Sequence, residues 1–246
     1  MKAFKLSSFL VLALSLCSCE KEDKSVTKPV EFTETTYTPL GTFDNNGKPN
    51  YLLTKDAISP SLDTYIDNTL PERTDLRTSH PDLLASSAIA DIAITQSSDV
   101  YVTYVSQGAG TTNAIAFYTY PTNKPLASAK DIKNITYIFP NAGFGTTLEP
   151  GDKVKLGRFD VGTSVGFVLL QGAWNAAYHT LDNKVVHFCS NDVLNPEVDP
   201  KLKKHAVLIN YSPENKVLIG FEDVDRTRGD CDHDFNDVIV YATVTP

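Results

Sequence analysis

The run Val100-Tyr101-Val102-Thr103-Tyr104-Val105 is β-branched or aromatic at every position, a composition typical of a strand within a sheet. Similar short segments occur before and after it, each bounded by Gly, Pro, Asn or Asp. They are 89–94, 113–118, 133–139, 153–159, 164–171, 204–210, 216–221 and 237–244. Short strands with frequent turns and little helical periodicity predict a mostly β domain at 84–246, an antiparallel β-sandwich with a jelly-roll-like arrangement.

A short helix is predicted ahead of these strands, in a lead-in segment at 37–83. Ser59 is a suitable N-cap, and Pro60 suits the first helical position. The apolar residues that then recur at helical spacing are Leu62, Tyr65, Ile66 and Leu70. Because Pro71 ends the run, the helix should be short and amphipathic, and we expect the lead-in to pack against the β domain.

The first residues of the chain predict export. Two lysines precede an apolar run at 9–14 that is too short to span a bilayer, which is typical of a signal peptide at 1–18. The following Leu16-Cys17-Ser18-Cys19 resembles a lipobox, and this predicts cleavage before Cys19 and lipidation of that cysteine. Ordinary secretion with cleavage elsewhere is the alternative.

A charged run, Glu20-Lys21-Glu22-Asp23-Lys24, follows the predicted lipidation site. It resembles the stretch behind the lipidated cysteine of Bacteroidetes lipoproteins sent to the cell surface, although such runs are often only solvated tethers. Residues 19–36 are therefore predicted to form a flexible tether. The chain is expected to be an outer-membrane lipoprotein, exposed on the surface of a Gram-negative cell, with the lipid on Cys19 as its membrane contact.

The charge of the chain argues against one class of partner. The formal net charge is −8 over 246 residues. No basic stripe offsets repulsion from phosphates, so the sequence excludes nucleic acid as a partner.

Two cysteines, Cys189 and Cys231, lie beyond the signal peptide and the lipidation site. In an oxidising compartment they can form a disulfide. Buried free thiols are an equally weighted alternative, because sequence spacing does not give the distance between them.

The chemistry concentrates in an acidic segment that precedes the last predicted strand. Its seven carboxylates are those of Glu222, Asp223, Asp225, Asp230, Asp232, Asp234 and Asp237. Crowded carboxylates repel one another unless a cation offsets them, and the alternating spacing at 230–236 resembles the start of a calcium loop. Oxygen ligands favour calcium over zinc or copper. The segment lacks the central glycine, closing glutamate and flanking helices of an EF-hand, and a solvated acidic turn is the alternative.

The segments Gly220-Phe221-Glu222-Asp223 and Asp232-His233-Asp234-Phe235-Asn236-Asp237-Val238 resemble the end of the LruC-type domain of unknown function (DUF4114-like), which occurs in bacterial surface and secreted proteins. Segments 165–170, 190–197 and 205–209 resemble the same family, so the resemblance covers roughly 100–246. It implies a β-sandwich with a calcium-binding acidic motif and no established activity. The motif residues, and hence the implied calcium ligands, are Glu222, Asp223, Asp232, Asp234, Asn236 and Asp237.

Three further side chains are candidates for a functional role. Trp174 and Tyr178 lie in a loop rich in Gly, Ala and Asn and could stack on a sugar, although core packing is the commoner role for a single tryptophan. His205 begins an apolar strand, and we expect it to be a structural hydrogen-bonding residue rather than a catalyst.

These features favour a non-enzymatic, calcium-stabilised module at the cell surface, for adhesion or for contact with a glycan or protein ligand. One alternative is a surface glycan hydrolase that uses paired carboxylates. The sequence has no nucleophile elbow or metalloprotease motif, and acids within one short segment more naturally share one ion. Another alternative is a structural subunit of a surface complex that pairs through an open strand edge.

Overall fold

The computed structural model describes residues 29–246. The predicted signal peptide at 1–18, the predicted lipidation site Cys19 and the first part of the predicted tether lie outside the described residues. Across 29–246, no helix has the length and apolar character needed to cross a membrane.

The described chain is mostly β, as predicted. The strands of residues 29–246 are β1 (Thr36–Pro39), β2 (Ile92–Ala93), β3 (Ser98–Gln107), β4 (Ala114–Pro121), β5 (Asn134–Phe139), β6 (Lys153–Phe159), β7 (Thr163–Leu170), β8 (Trp174–Asn175), β9 (Thr180–Leu181), β10 (His187–Cys189), β11 (Ala206–Tyr211), β12 (Lys216–Phe221) and β13 (Val238–Thr245). The α-helices are α1 (Pro60–Thr69) and α2 (Leu76–Ser79). Short 3-10 turns lie at Pro81–Leu84, Ala129–Asp131, Asp192–Leu194 and Ser212–Glu214.

The strands build two main sheets. The first has the order β1-β5-β4-β7-β10, with β2 also paired to β7, and the second has the order β11-β12-β13-β3-β6. Strands β8 and β9 form a separate hairpin. Among the described strands only β1 and β5 pair in parallel, with Thr36 opposite Asn134. The predicted antiparallel sandwich is therefore confirmed, with one parallel strand at its edge.

Both faces of the two sheets contribute to buried clusters, which explains why their strands are almost continuously apolar in sequence. Alternate residues of one strand point to opposite faces. In β13, Val238 and Val240 join a central core that contains side chains of both sheets. Ile239 and Tyr241 join a second cluster with helix α1. A third cluster covers the outer face of the first sheet.

Helix α1 forms where the sequence predicts it. The Ser59 hydroxyl accepts a hydrogen bond from the Leu62 amide at 3.1 Å, and Pro60 opens the helix. Leu62, Ile66 and Leu70 are buried in the cluster against β13. The helix therefore stabilises the outer face of the second sheet by burying an apolar stripe on it.

The last part of the predicted tether, residues 29–36, contacts the β domain. The Phe32 ring is buried and stacks on the ring of His187, with the centroids 4.6 Å apart. The Thr35 hydroxyl donates a hydrogen bond to the carbonyl of Ile132 at 2.6 Å. These contacts lead directly into β1, so the chain is held to the first sheet from Phe32 onward.

The disulfide alternative for Cys189 and Cys231 is wrong. Both cysteines are free and buried. Cys189 lies in the third cluster, beneath the outer face of the first sheet, whereas Cys231 lies in the acidic segment beside His233, with the thiol sulfur 3.1 Å from Nδ1. The two thiols therefore lie in different parts of the fold. Burial raises the pKa of each of them.

Candidate metal centre

The acidic segment forms the connection between two neighbouring antiparallel strands, and we call residues 222–237 the acidic loop. Phe221 at the end of β12 pairs with Val238 at the start of β13. The Asp237 amide also donates to the carbonyl of Phe221 at 3.1 Å. Glu222 and Asp237 are therefore held close together at the two ends of the loop, although fifteen positions of sequence separate them.

Three carboxylates converge within this loop. One ligand oxygen from each of Glu222, Asp232 and Asp234 lies within 4.8 Å of the others. The side chains of Glu222 and Asp234 are buried, whereas Asp232 is exposed. We call these residues the carboxylate triad, and they are three of the six calcium ligands that the family resemblance implies.

The backbone of the loop is curled rather than extended between the triad residues. His233 and Phe235 have positive φ angles of 60° and 59°, a conformation that is uncommon and costly for residues other than glycine. Packing compensates for this cost, because the Phe235 side chain is fully buried in the cluster with helix α1. The curl leaves Asp232 and Asp234 side by side, as in the loop that the alternating spacing at 230–236 resembles.

The triad has fewer hydrogen-bond donors than its buried oxygens require. Asp234 accepts hydrogen bonds from the backbone amides of Arg73, at 2.7 Å, and Asn236, at 3.2 Å. The neighbouring Cys231 thiol lowers the pKa of Glu222, yet the buried Oε2 oxygen of Glu222 has no partner among the described residues. An unpartnered buried acceptor is costly, so this oxygen fits a site completed by a cation.

The electrostatics of the triad point the same way. Burial, followed by the negative charges of Asp232 and Asp234, raises the pKa of Glu222. Burial also raises the pKa of Asp234. Both shifts mean that the triad is short of compensating positive charge in the protein itself. A bound cation would reverse both effects by favouring the ionised carboxylates.

The nearest buried positive charge, Arg226, offsets the charge of Glu222 only in part, because it lowers the pKa of Glu222 less than burial raises it. Its Nη2 has no hydrogen-bond partner in the described part of the chain, and its other nitrogens are bonded elsewhere. Its Nη1 donates to the carbonyl of Lys204 at 2.8 Å, and its Nε donates to Nδ1 of His233 at 3.2 Å. The guanidinium also lies 5.0 Å from the centroid of the Phe235 ring. Burial and the Arg226 charge lower the pKa of His233 to about 4, so this histidine is neutral and accepts the Arg226 hydrogen bond.

Two other implied ligands, Asp223 and Asp237, hold the loop to the rest of the sandwich. One Asp223 oxygen accepts hydrogen bonds from the Thr111 hydroxyl and the Asn113 amide group, both at 2.6 Å. Asp237 accepts a hydrogen bond from the Asp223 amide at 2.8 Å. Burial and the neighbouring charges of Asp223 and Glu222 raise the pKa of Asp237. The structure does not bring these two carboxylates into the triad.

The sixth implied ligand, Asn236, contacts the lead-in segment. Its side-chain amide donates to the carbonyl of Leu70, the residue that follows helix α1, at 3.3 Å. The Leu76 amide donates to the carbonyl of His233 at 3.0 Å. Sequence reasoning missed the part that 70–76 plays in the loop, because these contacts join residues more than 150 positions apart.

His205 has the structural surroundings that the sequence favoured. Its Nδ1 donates to the backbone carbonyl of Glu222 at 3.2 Å, and its Nε2 lies 2.7 Å from a carboxylate oxygen of Glu197. The ring stacks on Phe188, with the centroids 3.9 Å apart. His205 and Glu197 are both fully buried. They therefore fix the backbone from which the Glu222 side chain enters the triad.

The two aromatic candidates have different environments. Trp174 is only 2% exposed and packs edge-on against Phe43, which is the core packing that the sequence favoured over stacking on a sugar. The Trp174 amide donates to the carbonyl of Thr112 at 3.0 Å, which places the residue in the core of the loops. Tyr178 is 76% exposed in the connection between β8 and β9, and its contact with a ligand stays a prediction.

Comparison with known proteins gives one result. Residues 159–245 match the family model described as "Domain of unknown function (DUF4114)", so this part of the chain is a DUF4114-like domain, as the resemblance predicted. The match runs from the end of β6 through the acidic loop to the end of β13. Helix α1 and strands β1 to β5 precede it. No curated protein and no solved structure matches the chain.

Proposed function

We propose, for a chain whose C-terminal part is a DUF4114-like domain, that it is a calcium-stabilised module displayed at the cell surface for contact with a glycan or protein ligand. In this proposal calcium is a structural ion, bound by Glu222, Asp232 and Asp234. The module carries out no reaction of its own.

One observation carries the calcium proposal, the unpartnered Oε2 oxygen of Glu222. This residue is 1% exposed, so bulk solvent does not reach the oxygen that lacks a hydrogen bond. An oxygen-only set of carboxylates is the donor set that calcium prefers. Of the two softer groups nearby, the Cys231 thiol has a raised pKa and so is protonated, and Nδ1 of His233 accepts a hydrogen bond from Arg226.

The position of the triad supports a structural role for the ion. Asp234 is hydrogen-bonded to Arg73 of the lead-in segment, and Glu222 directly follows strand β12. A cation held by both would tie the lead-in and the second sheet to the acidic loop. Because the unfolded chain has no preformed site, binding would stabilise the folded state. A hydrolase would instead need two carboxyl groups on opposite sides of a substrate bond, and the triad converges on a single point.

Display at the surface is supported by the N-terminal sequence. The predicted lipobox at 16–19 and the charged run at 20–24 lie outside the described residues. The chain is held to the first sheet from Phe32 onward, so the lipid on Cys19 would lie at most about 45 Å along the chain from that contact. The domain would therefore stay close to the membrane that anchors it.

Thermal unfolding of the full-length protein in EDTA and in millimolar calcium tests the proposal. With a micromolar site, ~100-fold saturation should add about 2.7 kcal/mol, which raises Tm by roughly 5–10 °C. Asp234→Asn should abolish this rise. Asp230→Asn is the matched control, because Asp230 lies in the same loop, is exposed and pairs with Arg228, so it should keep the full rise.

An absent calcium effect in the wild-type protein would contradict the structural ion. Asp234→Asn that folds and melts like the wild type, yet abolishes turnover of a glycan substrate, would support the hydrolase instead. A glycan array and a cell-adhesion assay, both without signal for the calcium-loaded protein, would remove the ligand-contact part of the proposal and leave the calcium part standing.

A further inference from the structure

A groove separate from the carboxylate triad lies between helix α1, the end of β3 and the end of the acidic loop. Its volume is about 380 Å³. Ile66, Leu70 and Ile239 contribute apolar surface, and Glu72, Gln107 and Asn236 contribute polar groups. The groove therefore combines an apolar wall with a cluster of side-chain oxygens.

The oxygens converge at Gly108, which has no side chain to fill the space. A Cβ atom at this position would lie 3.3 Å from Oδ1 of Asn236 and 3.5 Å from Oε2 of Glu72. The adjacent Gln107 contributes an Oε1 oxygen that is shielded from solvent and has no hydrogen-bond partner within residues 29–246. The oxygens of Asn236 and Glu72 thus border the same part of the groove, whereas the Gln107 oxygen lies beneath its surface.

Three hydrogen-bond donors beside this part of the groove already have partners within the protein. The amides of Gly108 and Ala109 both donate to the carbonyl of Asp237, at 3.0 and 3.2 Å. The side-chain amide of Asn236 donates to Leu70. Nε of Arg73 lies 3.5 Å from Oε1 of Glu72, but both side chains are mostly exposed, so this pair is weak and screened. A ligand beside Gly108 would therefore meet the oxygens of Glu72 and Asn236 without competition from these donors.

We propose that this groove binds a primary ammonium group on an aliphatic stem, such as a lysine side chain of a partner protein. An ammonium has three N–H donors and no acceptor, which suits the neighbouring oxygens of Glu72 and Asn236 beside Gly108. The aliphatic stem lies against Ile66, Leu70 and Ile239, as lysine stems do on apolar surfaces. Asp67 at the rim adds a second negative charge. This site is independent of the calcium proposal, because no triad residue lines it.

Titration calorimetry with two matched probes tests the groove. N-acetyl-lysine methylamide carries the ammonium, and N-acetyl-norleucine methylamide has the aliphatic stem without it. In saturating calcium the lysine probe should bind the full-length protein at least about tenfold more tightly than the norleucine probe, since a charge-assisted hydrogen bond is lost in the latter. Binding of the lysine probe should persist in EDTA.

Two variants locate the binding. Glu72→Gln should weaken the lysine probe about tenfold or more, and Gly108→Ala should weaken it similarly by placing a methyl group among the oxygens. Asp63→Asn is the matched control, because Asp63 is exposed on helix α1 outside the groove and removes the same charge. Its affinity should equal that of the wild type.

Equal affinity for the two probes would overturn the proposal, as would wild-type binding by Glu72→Gln. Displacement of the lysine probe by millimolar calcium from wild type and Asp234→Asn alike would show that the groove holds a metal ion instead. If Gly108→Ala does not fold, Glu72→Gln decides the question, since Glu72 is exposed and its substitution leaves the core intact.

Discussion

The carboxylates of Asp91 and Glu222 lie in the same sandwich, yet their surroundings are opposite in kind. Asp91 is half-buried beside β2, and its two oxygens accept hydrogen bonds from Ser190, at 2.5 Å, and from Tyr120 and Asn191, at 2.7 and 3.0 Å. Glu222 is fully buried, keeps one oxygen without a partner and has two further carboxylates beside it.

The two carboxylates differ in the partners that the fold supplies to them. Around Asp91 the chain supplies neutral hydroxyl and amide donors, and these make the site complete without any ion. Around Glu222 the chain supplies acids instead, and the one buried arginine nearby is bonded to His233 and Lys204. This contrast is what the proposed calcium site requires, because a cation would complete the Glu222 carboxylate where the chain supplies too few donors.

The largest expected effect comes from the apolar attachment of the acidic loop. Phe235→Ala removes a fully buried ring from the cluster with helix α1 and should lower the free energy of unfolding by about 3–5 kcal/mol. Because the loss is one of packing, it should be of similar size with and without calcium in urea denaturation. Phe144→Ala is the control, since Phe144 is 62% exposed and should change stability by less than about 0.5 kcal/mol.

A calcium-dependent loss in Phe235→Ala would break the comparison, because it would mean that the ion rather than packing sets the shape of the loop. A loss below about 1 kcal/mol in both conditions would show that the cluster with helix α1 is not what holds the loop in place.

A second effect comes from another polar group that the fold satisfies with neutral partners. His187 donates from Nδ1 to the carbonyl of Val185, and its Nε2 accepts from the Tyr37 hydroxyl, both at 2.8 Å. Burial lowers the pKa of His187 from 6.5 to about 4. Between these pH values the unfolded chain therefore binds a proton that the folded protein does not bind. As a result, the contribution of His187 to the free energy of unfolding is complete above pH 6.5 and is lost as the pH falls toward 4.

The loss attributable to His187 should be about 3 kcal/mol between pH 7 and pH 4. Urea denaturation across this range, in the wild-type protein and in His187→Gln, measures it as the difference between the two pH profiles. His179→Gln serves as the control, because His179 is exposed and its removal should leave the profile unchanged. Identical profiles for wild type and His187→Gln would contradict the assignment.

The smallest effect is the most direct test of the comparison between the two carboxylates. Asp91→Asn disturbs a complete set of hydrogen bonds and should cost roughly 1–2 kcal/mol, equally in calcium and in EDTA. Glu222→Gln removes a charge from an incomplete site. In EDTA it should therefore be at least as stable as the wild type, whereas in calcium it should lack the gain that the wild type shows.

Thermal unfolding in calcium and in EDTA should therefore distinguish the two variants. Asp91→Asn should lose stability equally in both, whereas Glu222→Gln should fall below the wild type only in calcium. The comparison fails if Asp91→Asn loses stability only in calcium, or if Glu222→Gln is less stable than the wild type in EDTA. Either result would mean that the protein itself satisfies Glu222 without an ion.

Much of the fold could be predicted because strands buried on both faces leave a strong signal. The segments predicted at 153–159 and 216–221 coincide with β6 and β12, and the final strand is displaced by one residue. The segment predicted at 89–94 contains only the two-residue β2, because Asp91 is fixed by side-chain hydrogen bonds. The parallel strand β1 was not predicted, since Tyr37-Thr38-Pro39 owes its pairing to β5, about one hundred positions away.

The candidate site could be predicted only in its local part. The spacing of Asp232 and Asp234 and the position of Glu222 after a strand are visible in sequence, and these three residues converge. The contacts of Asp223 with Thr111 and Asn113 join residues 110 or more positions apart, and no local pattern announces them. Core packing was the favoured role for Trp174, but its partner Phe43 comes from the lead-in segment and could not be predicted for the same reason.

The parallel pairing of β1 with β5 has a mechanical consequence. A pull on the chain ahead of Pro29 reaches the domain through the buried Phe32 ring and then through β1, which ends at Pro39. Tension along the length of a strand loads its hydrogen bonds to β5 together, in shear, instead of peeling them apart singly. A pull directed along β1 would therefore be resisted by all the hydrogen bonds between β1 and β5 at once.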